Sequence, residues 1–412
     1  MPVIVQKYGG TSVGDAGRIR AVAERVARAR EGGYDVVVVV SAMGDSTDDL
    51  MRMAHDIAPI PNPRELDMLL TAGERIAMSL LAIAINERGH RAASYTGSQA
   101  GIITDTRHGN AKIIDVRPGR ILQAVEQGNI VIVAGFQGVS ATADVTTLGR
   151  GGSDTTAVAL AAALGAEFCE IYTDVPGVFT ADPRVEPGAR KLHAVSFEEM
   201  LELAASGAKV LQSRAVEYAR RNNVLLHVRS SFSGEDGTWV TEEDERMEQA
   251  LISGVTSDDG EAKVTLVDVP DRPGVAATIF RAVADEGVNI DMIVQNVSHH
   301  GRTDVSFTAP KVDLPRLKAV MDRVTQEVGS VGFEMDDGVA KVSLVGAGMK
   351  SHPGVAADMF AALAEEGINI EMISTSSIRV SCVVRAADAD RAVRAIHAKF
   401  DLAHEVVARE EH

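Results

Sequence analysis

VIVQKYGGTS, residues 3–12, is a short β-branched run that ends in two glycines and a polar turn. Such a run favours a buried strand that stops at the glycines. A helix is predicted from Asp15 to Glu31, because Asp15 can cap it, apolar residues follow at helical spacing, and Gly32-Gly33 can end it. A strand joined to a helix by a glycine turn is typical of a layered α/β domain.

The alternation of strands and helices continues through the first half of the chain. Val36–Val40 consists of valines only, which is typical of a parallel strand covered on both faces. Further strands are predicted at Ile130–Val133, Phe168–Tyr172 and Val224–Val228. Further helices are predicted from Pro63 to about Glu87 and at Ser153–Leu164, Phe197–Ala205 and Val210–Arg220. We therefore predict a three-layer α/β sandwich with a mostly parallel sheet, which binds ligands at the carboxyl ends of its strands.

Composition excludes several classes of function. The 412 residues are 45% hydrophobic and carry a formal net charge of -17, which repels phosphate backbones and predicts no nucleic-acid partner. The N-terminus lacks a signal-peptide pattern and no apolar run approaches ~20 residues, so we predict no membrane span. Two distant cysteines, Cys169 and Cys382, fit a reducing compartment and a cytoplasmic protein.

The last third of the chain contains an internal repeat. Arg272–Ala277 is matched by His352–Ala357, and Glu286–Ile293 by Glu366–Ile373. Each copy predicts a βαββαβ unit, with second helices at Leu314–Val328 and Ala387–Lys399. We expect a first domain at 1–245, a charged linker at 246–262, and two paired repeat domains at 263–336 and 337–412.

Three segments of the first half indicate chemistry. Lys7 precedes Gly9-Gly10 at a helix start, where backbone N–H groups favour an anion. The turn Thr146–Asp154 contains Arg150, which can hold a carboxylate or phosphate through two hydrogen bonds, although it lacks the P-loop ending and the Rossmann glycine spacing. Thr173–Arg184 follows a predicted strand at the ligand-binding edge. A helix cap or a plain connection is the alternative for each segment, but together they favour phosphate chemistry.

These segments resemble a known family when they are taken with two others. Lys7–Ser12, Ser41–Gly44, Thr71–Arg75, Gly149–Asp154, Thr173–Arg184 and the two repeats together resemble the aspartate kinases, members of the amino acid kinase superfamily with paired ACT domains. The motifs keep their order over nearly the whole chain. Lys-Tyr-Gly-Gly-Thr-Ser with Thr-Ala-Gly-Glu separates aspartate kinases from acetylglutamate and uridylate kinases. The resemblance implies the amino acid kinase fold followed by two ferredoxin-like ACT domains.

The resemblance implies a substrate site for L-aspartate. Glu74 would receive the α-ammonium group and Arg150 would hold the α-carboxylate. Ser41 and Thr47 match further hydroxyl groups of the substrate pocket. The acceptor is a carboxylate that is already ionised near neutral pH, so no general base is required.

The resemblance also implies an ATP site. Lys7 would stabilise the transferring phosphoryl group, and Asp154 would order the basic groups beside it. The ATP-binding residues would be Lys7, Gly9, Gly10, Ser153, Thr173, Asp174, Phe179, Asp182, Arg184 and Lys209. The family usually has tyrosine at position 179, so a hydroxyl contact would be lost. Mg²⁺ would be held mainly by phosphates and water, and no metal-binding residues are predicted. In-line transfer would give 4-phospho-L-aspartate, the first intermediate of lysine, threonine and methionine biosynthesis.

The repeats resemble ACT domains, which implies feedback regulation by lysine or threonine. The effector-binding residues would be Asp271, Gly274, Val275, Asn289, Ile290, Asp291 and Gln295 in the first repeat, and Gly354, Val355, Ala356, Asn369, Ser376 and Ser377 in the second. The alternative for Asn289 and its neighbours is a simple β-turn. The tail most resembles the type regulated by lysine plus threonine. The family commonly has Glu at position 377, so Ser377 argues against tight lysine inhibition and leaves threonine-dominated or relaxed regulation.

Other interpretations stay open at this stage. Met247 could start a separate regulatory subunit, giving an α2β2 assembly in place of a homo-oligomer. The chain could also phosphorylate glutamate or a related carboxylate. A non-catalytic amino-acid sensor with an inactive kinase domain is the alternative from a different class, although the retention of Lys7, Arg150, Asp154 and Lys209 argues against it.

Overall fold

The computed structural model describes residues 1–243, 251–296 and 300–404. These residues form two compact units. The first unit consists of residues 1–178, 191–204 and 209–243. The second consists of residues 179–190, 205–208, 251–296 and 300–404.

An eight-stranded sheet forms the centre of the first unit, in the order β10-β12-β11-β9-β1-β2-β6-β3. Its strands are β1 (Val3–Tyr8), β2 (Asp35–Val40), β3 (Ala92–Tyr95), β6 (Ile130–Ala134), β9 (Phe168–Thr173), β10 (Ala194–Ser196), β11 (Leu226–Ser230) and β12 (Thr238–Thr241). All neighbours are parallel except β11 and β12. The predicted mostly parallel sheet is confirmed.

A smaller sheet in the same unit has the order β5-β4-β7-β8. Its strands are β4 (Ile102–Thr104), β5 (Ile113–Val116), β7 (Gln137–Ser140) and β8 (Val145–Thr147). The helices of the first unit are α1 (Ala16–Glu31), α2 (Ser46–Ile57), α3 (Pro63–Leu70), α4 (Ala72–Glu87), α5 (Gly119–Glu126), α6 (Gly152–Leu164), α7 (Phe197–Ala205) and α8 (Ser213–Arg221). Asp15 caps α1 through the backbone N–H of Arg18, as its position predicts.

The helix predicted from Pro63 to about Glu87 is divided by Thr71 into α3 and α4. By length and composition alone, Pro63–Glu87 could cross a membrane, but half of its most apolar window is buried inside the structure. Its buried residues Ala77, Leu81 and Ile85 belong to the core formed by α1, α4 and the sheet. The apolar character of this segment therefore follows from its place in the core.

The second unit contains two four-stranded sheets, in the orders β15-β16-β14-β17 and β13-β18-β20-β19. The strands are β13 (Gly254–Asp258), β14 (Glu261–Pro270), β15 (Ile293–Gln295), β16 (Arg302–Pro310), β17 (Gly332–Asp336), β18 (Val339–Val345), β19 (Met372–Thr375) and β20 (Arg379–Arg385). The helices are α9 (Val275–Asp285), α10 (Leu314–Val328), α11 (Val355–Glu365) and α12 (Ala389–Lys399). The first repeat has the predicted βαββαβ order.

The second repeat differs from this prediction. Its described chain has the order βαββα, and its fourth strand is β13, which precedes the first repeat and pairs antiparallel with β18. The segment 246–262, expected to be a linker, therefore contains a strand of the second sheet. The charged run at 242–245 suggested a solvated connection, but Val255 is buried in the core of the second repeat.

Candidate active site

A buried ion pair lies at the carboxyl end of the central strand of the first unit. Lys7 lies next to the last residue of β1, and Asp154 lies in the first turn of α6. Lys7 Nζ is 2.6 Å from Asp154 Oδ1, and both side chains are about nine-tenths buried. The structure thus brings the two predicted catalytic residues together, with the ammonium group fixed at the carboxyl end of the central strand.

Two loops meet at Gly10 in very close contact. Gly44 N–H donates to Gly10 O at 3.0 Å, and Ser41 N–H donates to Tyr8 O at 3.1 Å. A Cβ atom on Gly10 would lie 2.8 Å from Ala42 O, so only glycine fits there. The predicted lysine–glycine turn and the Ser41–Gly44 segment therefore form one surface. The half-buried Ser41 and Thr47 lie at the end of β2 and in the first turn of α2.

Glu74 is buried beside this surface, in the first turn of α4. Its Oε1 accepts the backbone N–H of Ala42 at 3.1 Å, and it is only 3% exposed. Its Oε2 has no hydrogen-bond partner among the described residues. Burial raises the pKa of Glu74 to about 7, against the effect of the Ala42 hydrogen bond. A buried carboxylate oxygen without a partner fits a ligand ammonium group.

Arg150 lies in a turn between two glycines with positive φ. Gly149 has φ +77° and Gly151 has φ +68°, the left-handed region that other residues rarely adopt. Arg150 is exposed at the start of α6, while Ser153 in the first turn is buried. A Cβ on Gly135 would lie 2.7 Å from Ser153 Oγ, so this helix start packs tightly against the end of β6.

Asp67 supports this turn from the interior, and the sequence analysis did not identify it. Its carboxylate accepts hydrogen bonds from Thr147 Oγ1 at 2.6 Å and Gly109 N–H at 3.0 Å, and contacts His108 Nδ1 at 2.7 Å. Gly109 O in turn lies 3.1 Å from where a Cβ of Gly149 would be. The indication of this role was an aspartate at a buried position of α3, because a buried carboxylate needs hydrogen-bond partners.

The predicted ATP residues fall in both units. In the first unit, Gly9 N–H donates to Tyr172 O at 3.4 Å, which places the glycine turn beside the end of β9. Thr173 and Asp174 follow there, with Thr173 Oγ1 donating to Asp174 Oδ1 at 3.0 Å. Lys209 is exposed in the first unit. Within the described ranges, no group of three or more His, Cys, Asp or Glu side chains could hold a metal ion.

Phe179, Asp182 and Arg184 belong to the second unit. Arg184 contacts Asp182 through two nitrogens, with Nη2 at 2.6 Å and Nε at 3.0 Å from the carboxylate oxygens. Most of the Arg184 side chain is exposed. This pair fixes the turn in which the three predicted residues lie.

A second candidate site lies in the first repeat. A cavity of about 360 Å³ is lined by predicted effector residues Asp271, Gly274, Val275 and Gln295. Gly274 has φ +95° and precedes α9, so the turn exposes the backbone N–H groups of the helix start. Asn289 is exposed in the following turn, while Ile290 is half-buried against the core of the repeat.

Asp291, another predicted effector residue, lies beside two cationic side chains. It is ion-paired with the fully buried Lys341 of β18 at 2.5 Å, and Arg379 lies 3.7 Å away. Asp291 is not among the residues that line the cavity, and its role in effector binding stays a prediction. In the second repeat, Gly354 repeats the left-handed turn with φ +106° before Val355 and Ala356. Asn369, Ser376 and Ser377 are exposed.

Family models agree with this architecture. The model of the amino acid kinase family matches residues 2–230, and ACT domain models match residues 263–329 and 342–400. The fold and the site thus define a kinase that acts on a small amino-acid substrate and carries paired ACT domains.

Comparisons over the full length are more specific. An aspartokinase of Mycolicibacterium smegmatis is 59% identical over 407 residues, covering 98% of this chain and 97% of that protein. An aspartate kinase of Pseudomonas putida is 50% identical over 403 residues, covering 98% of each. The structure of E. coli aspartokinase III with aspartate and ADP superposes with a TM-score of 0.82 at 26% identity, covering 96% of this chain and 99% of that one. The chain belongs to the aspartokinases of the amino acid kinase family, and it is an aspartate kinase.

Proposed function

We propose that this chain transfers the γ-phosphoryl group of ATP to the β-carboxylate of L-aspartate and forms 4-phospho-L-aspartate. The observation that carries the proposal is the buried Glu74 carboxylate, whose Oε2 lacks a partner among the described residues. It lies beside the surface formed by Gly10 and Ala42. The positive charge of an amino-acid ammonium group there would be compensated by the Glu74 carboxylate at a dry position.

Arg150 is the proposed partner of the substrate α-carboxylate. Its guanidinium is exposed in a turn that Asp67 anchors through Thr147 and Gly109. A planar guanidinium can hold a carboxylate with two parallel hydrogen bonds. Held at both its ammonium and its α-carboxylate, the substrate would direct its β-carboxylate to the phosphate, with Ser41 and Thr47 as further donors.

Lys7 is the proposed stabiliser of the transferring phosphoryl group. The acceptor and the donor are both anions, so positive charge and oriented N–H groups lower the barrier more than a base would. Asp154 holds Lys7 in place at 2.6 Å, and Gly9 and Gly10 lie at the same turn. Gly9, Gly10, Ser153, Thr173, Asp174 and Lys209 are the nucleotide-binding residues proposed in the first unit, and Phe179, Asp182 and Arg184 those in the second.

The residues of the proposed nucleotide site fit a Mg²⁺ ion that is bound together with the nucleotide. The described residues offer no protein cage of three or more metal-binding side chains. Mg²⁺ is usually bound by substrate phosphates, water and one or two carboxylates, and Asp174 is an exposed carboxylate at the end of β9. When bound, the ion would neutralise charge on the phosphates.

A kinase assay with purified protein tests the chemistry. We expect ADP formation that depends on L-aspartate and is much slower with L-glutamate. Lys7→Ala should lower kcat by about 10²–10³-fold, the usual cost of losing a donor that stabilises transition-state charge. Lys112→Ala, an exposed lysine of the same unit, should leave kcat unchanged. Near-normal turnover of a folded Lys7→Ala variant, checked by circular dichroism, would contradict the role of Lys7.

Feedback regulation is proposed for the ACT repeats, with the 360 Å³ cavity of the first repeat as an effector site. The structure of E. coli aspartokinase III with lysine and aspartate has a TM-score of 0.75 to this chain at 26% identity. Because Ser377 offers no carboxylate to an ammonium group, we expect inhibition by threonine, or by threonine with lysine, to exceed that by lysine alone. Titration of each effector, singly and together, measures this, and complete inhibition by lysine alone would contradict it.

A further inference from the structure

A large cavity lies on the other face of the central sheet in the first unit. Side chains alternate along a strand, so Gln6 and Tyr8 point away from the face that carries Lys7. The cavity has a volume of about 790 Å³, and its walls include Gln6 of β1, Glu170 and Tyr172 of β9, and residues of α1, β11 and β12. None of the residues assigned above to aspartate or ATP lines it.

The cavity is positively charged although the whole chain is acidic. Arg25, Arg28 and Arg229 line it against a single carboxylate, Glu170. That carboxylate is already satisfied within the protein: it accepts hydrogen bonds from Gln6 Nε2 at 2.7 Å, Tyr172 OH at 3.1 Å and Arg229 Nη1 at 3.0 Å. Glu170 is 5% exposed. The protein therefore compensates its own anion and leaves an excess of guanidinium charge at the wall.

The walls are also unusually aromatic. Aromatic residues make up only 4% of the chain, yet the cavity is lined by Tyr34, Phe168, Tyr172, Phe232 and Trp239. Phe168 meets Trp239 edge to face, with ring centroids 5.7 Å apart. Flat rings beside guanidinium groups suit a planar ligand, because both groups offer faces for stacking.

A buried imidazole adds an unsatisfied polar atom to the same wall. His227 is 6% exposed and stacks on Trp239 with ring centroids 4.0 Å apart. Its Nε2 has no hydrogen-bond partner among the described residues. Burial lowers the pKa of His227 to about 4, and the charge of Arg229 acts in the same direction. The ring is therefore neutral near pH 7, and the positive charge of the cavity comes from the arginines.

We propose that this cavity is a binding site for a small aromatic carboxylate. Its ring would pack on Phe168 and Trp239, and its carboxylate would pair with Arg28, whose charge is not used by Glu170. The site lies on the opposite face of the sheet from Lys7, so it does not depend on the proposed roles of the substrate-binding and ATP-binding residues. The guanidinium charge selects for an anionic ligand, and the aromatic rings select for a planar one.

The chain contains one tryptophan, Trp239, and it lies in this wall. The fluorescence of Trp239 therefore reports directly whether a ligand occupies the cavity. We expect benzoate, titrated into the full chain, to change the emission along a saturable curve. Cyclohexanecarboxylate, whose ring is saturated and not planar, and benzamide, which lacks the charge, should each bind at least about tenfold more weakly.

Two arginines of α1 form a matched pair of variants. Arg28 and Arg20 are both exposed on this helix, but only Arg28 lines the cavity. Arg28→Gln should weaken benzoate binding about tenfold, and Arg20→Gln should leave it unchanged. Both substitutions are on the surface, so both proteins should fold, which circular dichroism would verify. A linear, non-saturating response, or equal binding by the two variants, would overturn the proposal.

Discussion

Glu74, the proposed partner of the substrate ammonium group, combines deep burial with a titratable charge. Its carboxylate is held in the first turn of α4, with one oxygen on the backbone of Ala42 and the other without a partner among the described residues. Burial raises its pKa to about 7, although backbone hydrogen bonds act in the opposite direction. The free enzyme is therefore partly protonated at this site near neutral pH, whereas an ammonium ligand requires the ionised form.

We predict that aspartate binding weakens as the pH falls through about 7. Below that pKa, the apparent KM for aspartate should rise about tenfold per pH unit, because each binding event must remove a proton from Glu74. Steady-state kinetics at saturating ATP between about pH 6 and pH 8.5 measures the effect.

Glu74→Gln should remove this pH dependence and raise the KM at high pH by about tenfold or more, the cost of losing a hydrogen bond to a charged group. Glu87→Gln, an exposed residue at the end of the same helix, provides the control and should behave like the wild type. A KM that stays constant across the range in the wild type would show that Glu74 does not bind the ammonium group.

Lys7 and Arg150 could be predicted as site residues from their local motifs, and Glu74 from the resemblance to a family. The sequence did not identify Asp67, because the partners of this carboxylate, Gly109 and Thr147, are brought to it only by the tertiary fold. It also could not indicate that Gly10 is fixed by contact with Ala42 O, because that contact joins two distant loops.

At the scale of elements, local patterns predicted strands and helices well, since Leu314–Val328 and Phe197–Ala205 are helices with the predicted bounds. The pairing of strands was harder to predict. β13 is short and follows a charged run, so nothing local distinguishes it from a linker. Its partner β18 begins at Val339, and only the backbone hydrogen bonds between them define its role.

The pair of Asp291 and Lys341 joins the turn before β15 to β18. Lys341 is 1% exposed, so its ammonium group depends on this carboxylate and on the Ala205 carbonyl. We predict that Asp291→Asn lowers the stability of the second unit by about 3–5 kcal/mol, because it leaves a buried charge without its counter-ion. Thermal unfolding followed by circular dichroism measures the loss.

Asp291→Asn combined with Lys341→Met should recover much of this loss, because the double variant no longer buries a charge. Asp304→Asn, at an exposed position of β16, is the control for a general effect of losing a negative charge. If Asp291→Asn left the melting temperature unchanged and altered the response to an effector, Asp291 would instead have the effector-binding role predicted from the sequence.

At the scale of the whole chain, the structure defines the shortest fragment in which both repeats are complete. A fragment that contains only the two repeats needs β13 to complete the sheet of the second repeat. We predict that a fragment of residues 247–412 folds, whereas one of residues 262–412 does not, because its β18 has a bare edge and Val255 is lost from the core. Circular dichroism and size-exclusion chromatography of the two fragments test this, and equal folding of both would contradict it.

Met247 itself lies outside the described residues. A start there would yield a separate subunit that retains β13, as the α2β2 assembly requires. Detecting a co-purifying fragment of roughly 17–18 kDa in preparations of the full chain, and its loss in Met247→Ala, would favour the α2β2 assembly. Its absence would favour the homo-oligomer.

The position of β13 also has a consequence during translation. Gly254–Asp258 leaves the ribosome before either repeat, but β18, its partner, ends at Val345. At synthesis rates of about 5–20 residues per second, the interval is on the order of ten seconds. The strands of the first repeat can pair within that time, while β13 remains unpaired. A nascent chain in this interval is open to pairing with a neighbour on the same messenger RNA, so two chains made together have an opportunity to exchange this strand.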